Sequence, residues 1–223
     1  MQTGRFGKPV IIIPAYNEEK LIGRAIDLIK GTGVDANIIV ANDGSTDRTA
    51  EISARRGCRV VSLPKNFGKS NVFFAGVKEA LKTNPVAVVT IDADAIAVPK
   101  EGLYNMINDV AQSTKTNKIK MIVAPVRQKS TVGYILETSG VRAFSLPALY
   151  RLHSSKFKGT PEGRGLESFL NRLFKGWRTQ SDLWKSYHGF EFEKPFRVDD
   201  YKRRVVEGKL TKKRIQRRMQ MPK

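Results

Sequence analysis

The chain has 223 residues, 40% of them hydrophobic, with no apolar run near the ~18 residues of a membrane span, so a soluble fold with one full core is expected. Cys58 is the sole cysteine, which excludes an internal disulfide, and the opening "MQTGRFGKPVIII" lacks the long apolar core of a signal peptide; a cytoplasmic location is expected. The formal net charge of +19 is uneven: residues 1–111 carry 14 Lys+Arg and 12 Asp+Glu, residues 112–223 carry 26 and 9, a net of +2 against +17. "VIII" (10–13) reads as a strand, followed by a helix with Leu21, Ile22, Ala25, Ile26 and Ile29 on one side, stopping near "GTG" (31–33). "NIIVAN" (37–42) is a second strand, followed by "DGST" and a helix from about Thr46 to Arg56. "RVVSL" (59–63) is a third strand and 69–82 a third helix. "VAVVTI" (86–91), a helix over 99–112 and a strand "KIKMIVAPV" (118–126) complete the regular half. This alternation predicts an α/β fold with a mostly parallel sheet and helices on both faces.

The later half is less regular. "TSGVRAFSLPALYRL" (138–152) and "GRGLESFLNRLFKGW" (163–177) each read as a glycine-led turn into a short amphipathic helix. An aromatic-rich stretch, "LWKSYHGFEFEKPF" (183–196), precedes the basic end. The simplest organisation is one domain over 1–197, with a nucleotide-sugar half at about 8–112 and an acceptor half at about 113–197. A basic extension covers 198–223.

Parallel sheets bind ligands beyond the carboxyl ends of their strands, and "YNEE", "NDGSTD", "KNFGK" and "DAD" all fall there. The apolar run over 86–91 ends in Asp92 and Asp94, whose carboxylates point the same way if the chain stays extended. Two like charges side by side call for a cation between them, and hard carboxylate oxygens suit Mg²⁺ or Mn²⁺. Acids used only as turn formers at a solvated junction are the plain alternative. For "NDGSTD" that alternative is a turn in which Ser45 or Thr46 caps the next helix.

"IIIPAYNEE", "NDGSTDRTAEI", "NFGKSNVFFAGVKEA", "IDADA", "SGVRAF" and "GRGLESFL" occur in an order that resembles the family 2 glycosyltransferases. The match runs from about residue 10 to about residue 180 and implies a GT-A fold with a Rossmann-like nucleotide-binding half and a nucleotide-diphospho-sugar donor. It also implies that Pro14, Ala15, Tyr16 and Glu18 hold the nucleotide on one side, and Asp43, Gly44 and Ser45 on the other. Asp43 is suited to accept from a uracil or guanine ring N–H, and Gly44 to let the backbone come close. Lys69, at a helix N-terminus after a glycine, is placed on the donor side, as is Ala93. Asp92 and Asp94 match the family's DXD element, which implies that both hold Mn²⁺ or Mg²⁺ against the diphosphate, Asp94 above all. Glu167 falls where the family places the base that deprotonates the acceptor in an inverting transfer. Ser139, Gly140, Arg142 and Trp184 are implied on the acceptor side. Ile96 departs from a glutamine common in lipid-phosphate mannosyltransferases. "QSDLW" (180–184) is similar to the Q-x-x-R-W element of processive synthases, with Leu183 in place of arginine, so single-sugar transfer is expected. His153 and His188 lack ligand spacing and read as packing or surface residues.

The basic end suits an anionic partner. An anionic membrane surface presenting a lipid-linked acceptor is one reading. Val205, Val206, Leu210, Ile215 and Met219 share no narrow helical face, so that contact would be electrostatic. DNA is another, with Trp177, Trp184, Tyr187 or Phe190 available for stacking in an enzyme that glycosylates modified bases. From a different class, the chain could be a nucleic-acid-binding protein on an inactive transferase scaffold, although Asp43, Asp92, Asp94 and Glu167 are all intact. Nucleotidyl transfer fits less well, because "PAYNEE" stands where a glycine-rich loop would be.

Overall fold

The computed structural model describes residues 5–124, 126–128, 134–135, 140–154, 165–176, 178–179 and 190–192. The Ser139, Trp177, Trp184, Tyr187 and His188 expectations, "QSDLW" and the basic end all lie outside the described residues, and of Phe190 only the backbone is described.

Chain order runs β1 (Val10–Ala15), α1 (Ile22–Gly31), β2 (Asn37–Asn42), α2 (Thr49–Arg55), β3 (Arg59–Ser62), α3 (Lys69–Leu81) and β4 (Val88–Thr90). It continues β5 (Ala95–Ala97), α4 (Lys100–Lys115), β6 (Met121–Val123), β7 (Val126–Gln128), β8 (Tyr134–Ile135) and β9 (Arg142–Phe144). The last described elements are α5 (Leu146–Ser154), α6 (Leu166–Leu173), β10 (Arg178–Thr179) and β11 (Phe190–Phe192). Among these residues the main sheet has the order β10-β6-β9-β4-β1-β2-β3, and a smaller sheet the order β5-β11-β7-β8. Strands β4, β1, β2 and β3 are mutually parallel, so Ala15, Asn42 and Thr90 reach the same edge.

Burial follows the period of two. Ile11, Ile13, Val40 and Val89 face α1 and α4, while Val10, Ile12, Ile39 and Val88 face α3, α5 and α6. The sheet thus has a dry core on each side, which accounts for uninterrupted apolar strands such as "VIII".

Two expectations need correction. The single strand over 118–126 is two strands, β6 and β7, in different sheets. The helix expected within 138–152 is preceded by β9, which lies antiparallel between β4 and β6. "VRAF" carries too few residues to show an alternation, and its arginine hides the apolar run that marks a central strand. The antiparallel insertion brings the chain back to the edge where the parallel strands end: Arg142 pairs in register with Thr90 and Val123. No helix among the described residues is long and apolar enough to cross a membrane.

Helix α3 sits close on β1 and β2 because Gly76 presents no side chain. A Cβ there would come within 2.7 Å of Ile12 Cγ2 and 3.3 Å of Ala41 Cβ. Valine at this position gains helix propensity of well under ~1 kcal/mol over glycine but overpacks a core interface, which costs about 1–3 kcal/mol. Gly76→Val should therefore lower the urea midpoint; an unchanged or raised midpoint would mean that α3 does not rest on β1 as described.

Candidate active site

At the end of β2 the chain turns sharply. The Asp43 amide donates to the Ala15 carbonyl at 2.8 Å, which joins this turn to the end of β1. The Asp43 side chain is buried, and its two oxygens accept from the Phe67 and Gly68 amides at 2.8 and 2.7 Å. A carboxylate that accepts two backbone N–H groups satisfies its charge at the same time as it fixes a loop. Gly44 takes φ +68°, and a Cβ on it would overlap the Lys65 backbone, so glycine is required both by conformation and by space. Asp43, expected to meet a nucleobase, also anchors the 66–68 loop within the chain itself.

The neighbouring loops are tied together as well. Ser45 Oγ accepts from the Asn17 amide at 2.9 Å, and Asn17 Oδ1 accepts from the Thr46 amide at 2.9 Å. These bonds correct the capping expectation: Ser45 and Thr46 serve the 16–19 loop. The first turn of α2 receives Asp47 instead, whose Oδ1 accepts from the Thr49 amide at 2.9 Å. Glu18 donates its amide to Thr49 Oγ1 at 2.8 Å, and its carbonyl starts α1 by accepting from Leu21 and Ile22. Pro14 and Ala15 close β1, and the Tyr16 ring is exposed beside them. The Phe67 ring is also exposed, with the Lys65 ammonium 5.3 Å from its centroid.

Gly68, at φ +86°, leads directly into α3, whose first residue is Lys69. From there the ammonium reaches Asp92 Oδ1 at 2.8 Å and Glu167 Oε1 at 3.1 Å. The cation beside the first aspartate is therefore supplied by the chain. Asp92, Ala93 and Asp94 lie in a turn, with the Ala95 amide donating to the Asp92 carbonyl at 3.3 Å, and not in an extended strand. The expectation of parallel carboxylates on one extended segment is corrected accordingly. Asp94 is half-buried and Ala93 is buried. Among the described residues no three His, Cys, Asp or Glu side chains form a metal-holding group. Gly140 lies so close that a Cβ would overlap Asp92 Oδ2, and its carbonyl accepts from Thr90 Oγ1 at 2.7 Å.

Glu167 is placed by helix packing. Leu166, Leu170 and Phe174 are buried in the core beneath α3 and α5, and the Phe174 ring lies 6.0 Å from that of Phe144. That anchoring turns Glu167 and Asn171, spaced i and i+4, onto one adjoining face. Arg142, only 2% exposed, donates to Asn171 Oδ1 at 2.8 Å. Asn171 was not among the residues expected at the site; its i, i+4 spacing from Glu167 is the one sequence signal that could have found it. His153 lies exposed on α5, away from any ligand set among the described residues.

Burial pushes the Glu167 carboxyl up, but the Lys69 and Arg142 charges outweigh it and hold it below the ordinary carboxylate range. For Lys69, burial works downward, and the charges of Asp92 and then Glu167 raise it above its ordinary value. Both groups are charged at neutral pH.

Since Glu167 has a lower pKa folded than unfolded, its stabilising effect is present above about pH 4.3 and is lost as pH falls through the folded value. Wild type should therefore lose more stability than Glu167→Gln between pH 6 and pH 3, read as urea midpoints. Parallel losses in the two proteins would contradict the ion pair. Asp43→Ala should speed hydrogen exchange at the Phe67 and Gly68 amides at least tenfold while distant α4 amides stay unchanged, in keeping with the loss of two charge-assisted bonds at about 1.5 kcal/mol or more each.

A family model described as glycosyl transferase family 2 matches residues 10–128. The chain is 42% identical over 103 residues to a 4,4'-diaponeurosporenoate glycosyltransferase of Staphylococcus aureus, covering 44% of this chain and 27% of that protein. It is 38% identical over 91 residues to an uncharacterized protein of Methanocaldococcus jannaschii, covering 41% and 37%. The matches thus span little more than a third, or less, of these curated relatives. In fold it is similar to glucosyl-3-phosphoglycerate synthase from Mycobacterium tuberculosis in complex with Mn²⁺, uridine-diphosphate and phosphoglyceric acid, with a TM-score of 0.67 at 20% identity over 97% of this chain and 80% of that one. The complex of that enzyme with Mn²⁺, UDP-glucose and phosphoglyceric acid gives 0.66 at 21% identity over 92% and 79%. Strands β1 to β7, the turn at Asp43 and the Asp92 turn all fall within the matched residues, and the α/β sheet is of GT-A type: the chain belongs to glycosyl transferase family 2.

Proposed function

We propose that the chain transfers a single sugar, with inversion, from a UDP-sugar to an anionic acceptor, using a divalent metal. The observation that carries this reading is the Lys69 bridge, which brings Asp92 at the end of β4 and Glu167 on α6 to one ammonium. A donor-side acid and an acceptor-side acid thus share one site. Tyr16 and Phe67, exposed around the Asp43 turn, offer ring faces to a nucleobase. Asp92 and Asp94, both oxygen donors in one turn, fit Mn²⁺ or Mg²⁺, with diphosphate oxygens completing the ligand set. Such an ion supplies positive charge for the departing diphosphate.

Glu167 is ionised and half-buried. Its role is to take the proton of the acceptor hydroxyl as that oxygen bonds to the anomeric carbon. The bond from that carbon to the diphosphate breaks on the opposite face, and the nucleoside diphosphate leaves with the electron pair. Arg142 and Asn171 hold α6 in the orientation that presents Glu167. The donor choice is supported by the UDP-glucose complexes of the structural neighbour. An anionic acceptor is supported by the net +17 of residues 112–223, by the diaponeurosporenoate on which the Staphylococcus aureus relative acts and by the phosphoglyceric acid bound to the structural neighbour, both of them acids.

The test is an incubation with Mn²⁺, labelled UDP- or GDP-sugars, and an extract holding membranes, DNA and soluble acids. Label should leave the UDP-sugar for a lipid or soluble acid, Asp94→Ala should abolish transfer, and Glu167→Gln should slow it by about 10²–10⁴-fold. Label in DNA would assign the basic half to nucleic acid, and full transfer by both variants would sink the proposed site.

A further inference from the structure

We infer that Lys69 is a resident counter-cation which divalent metal must displace from Asp92, so that loading of the donor side releases Glu167 for the acceptor. This rests on the proposed function and adds an order to it. The Lys69 ammonium lies 2.8 Å from Asp92 Oδ1 and 3.1 Å from Glu167 Oε1. The other Asp92 oxygen faces the Gly140 backbone so closely that a Cβ there would overlap it. Asp92, its side chain 29% exposed, thus holds an ammonium on one oxygen beside the Gly140 backbone, and an ion that binds this oxygen must compete with Lys69.

Electrostatics makes the two cations competitors. An ammonium and a divalent ion on one carboxylate oxygen would lie within about 4 Å of each other, where like charges repel strongly in a partly buried site. Lys69 is free to yield in a way Asp92 is not. Its ammonium ends a flexible four-carbon stem that is 38% exposed. Its backbone, by contrast, is pinned next to Gly68, whose amide donates to Asp43 Oδ2 at 2.7 Å. The side chain can therefore swing while its root stays fixed. Until it swings, Glu167 is paired with a cation and is a poorer proton acceptor. Once the metal and the donor diphosphate occupy Asp92, the same ammonium finds a new anionic partner in the diphosphate, and Glu167 is released.

The inference predicts that removal of the lysine charge tightens binding of the metal alone. Titration of free Mn²⁺ by electron paramagnetic resonance, without nucleotide, should give Lys69→Met an affinity about three- to tenfold above wild type, the size expected for one partly exposed ion pair. Lys69→Arg, which keeps the charge, should bind like wild type. In an Asp92→Asn background the Met substitution should change nothing. Lys69→Gln repeats the measurement should the Met variant not fold. Equal or weaker Mn²⁺ binding by both neutral variants, with binding still lost in Asp94→Asn, would overturn the displacement model and leave the metal reading standing. No Mn²⁺ binding by any variant, even with UDP, would overturn both.

Discussion

The carboxylate of Asp43 decides where the rest of the site can be. It accepts the Phe67 and Gly68 amides, and the next residue, Lys69, begins α3. A shift of that loop would move the only ammonium that joins Asp92 to Glu167 among the described residues. The anchor works because it is buried and charge-assisted, with both oxygens engaged by backbone donors. Two elements far apart in sequence, the β4 turn and α6, are thus referred to a third, the end of β2.

The charges around Glu167 form a balanced set. Two carboxylates, one ammonium and one buried guanidinium leave little net charge in this partly buried cluster. Arg142 is the costly member, because a guanidinium 2% exposed has lost nearly all contact with water. Its bond to Asn171 and the nearby Glu167 charge compensate. The same arrangement restrains α6, which otherwise rests on the apolar contacts of Leu166, Leu170 and Phe174.

The family match ends at residue 128, and β8 to β11, α5 and α6 come after it. β9 has a fixed task, since its place between β4 and β6 brings Gly140 to Asp92 and Arg142 to α6.

The alternation of apolar runs and amphipathic helices was enough to establish the α/β class and the strands β1 to β4, because each such run buries two faces and local period reflects that burial. Ordered motifs likewise picked out the turns at Asp43 and Asp92, which follow strands that end at the same sheet edge. What was not legible is which groups meet. β9 is three residues long and carries an arginine, so no local pattern marks it as a central strand. The Asp43 bonds to the Phe67 and Gly68 amides depend on a loop 24 and 25 residues away. Lys69 was expected on the donor side, and only the folded chain brings Asp92 and Glu167 to its ammonium. Spacing along a chain reports periodicity, and hence burial; an ion pair depends on distances that arise when distant segments pack, and those exist only in the tertiary structure.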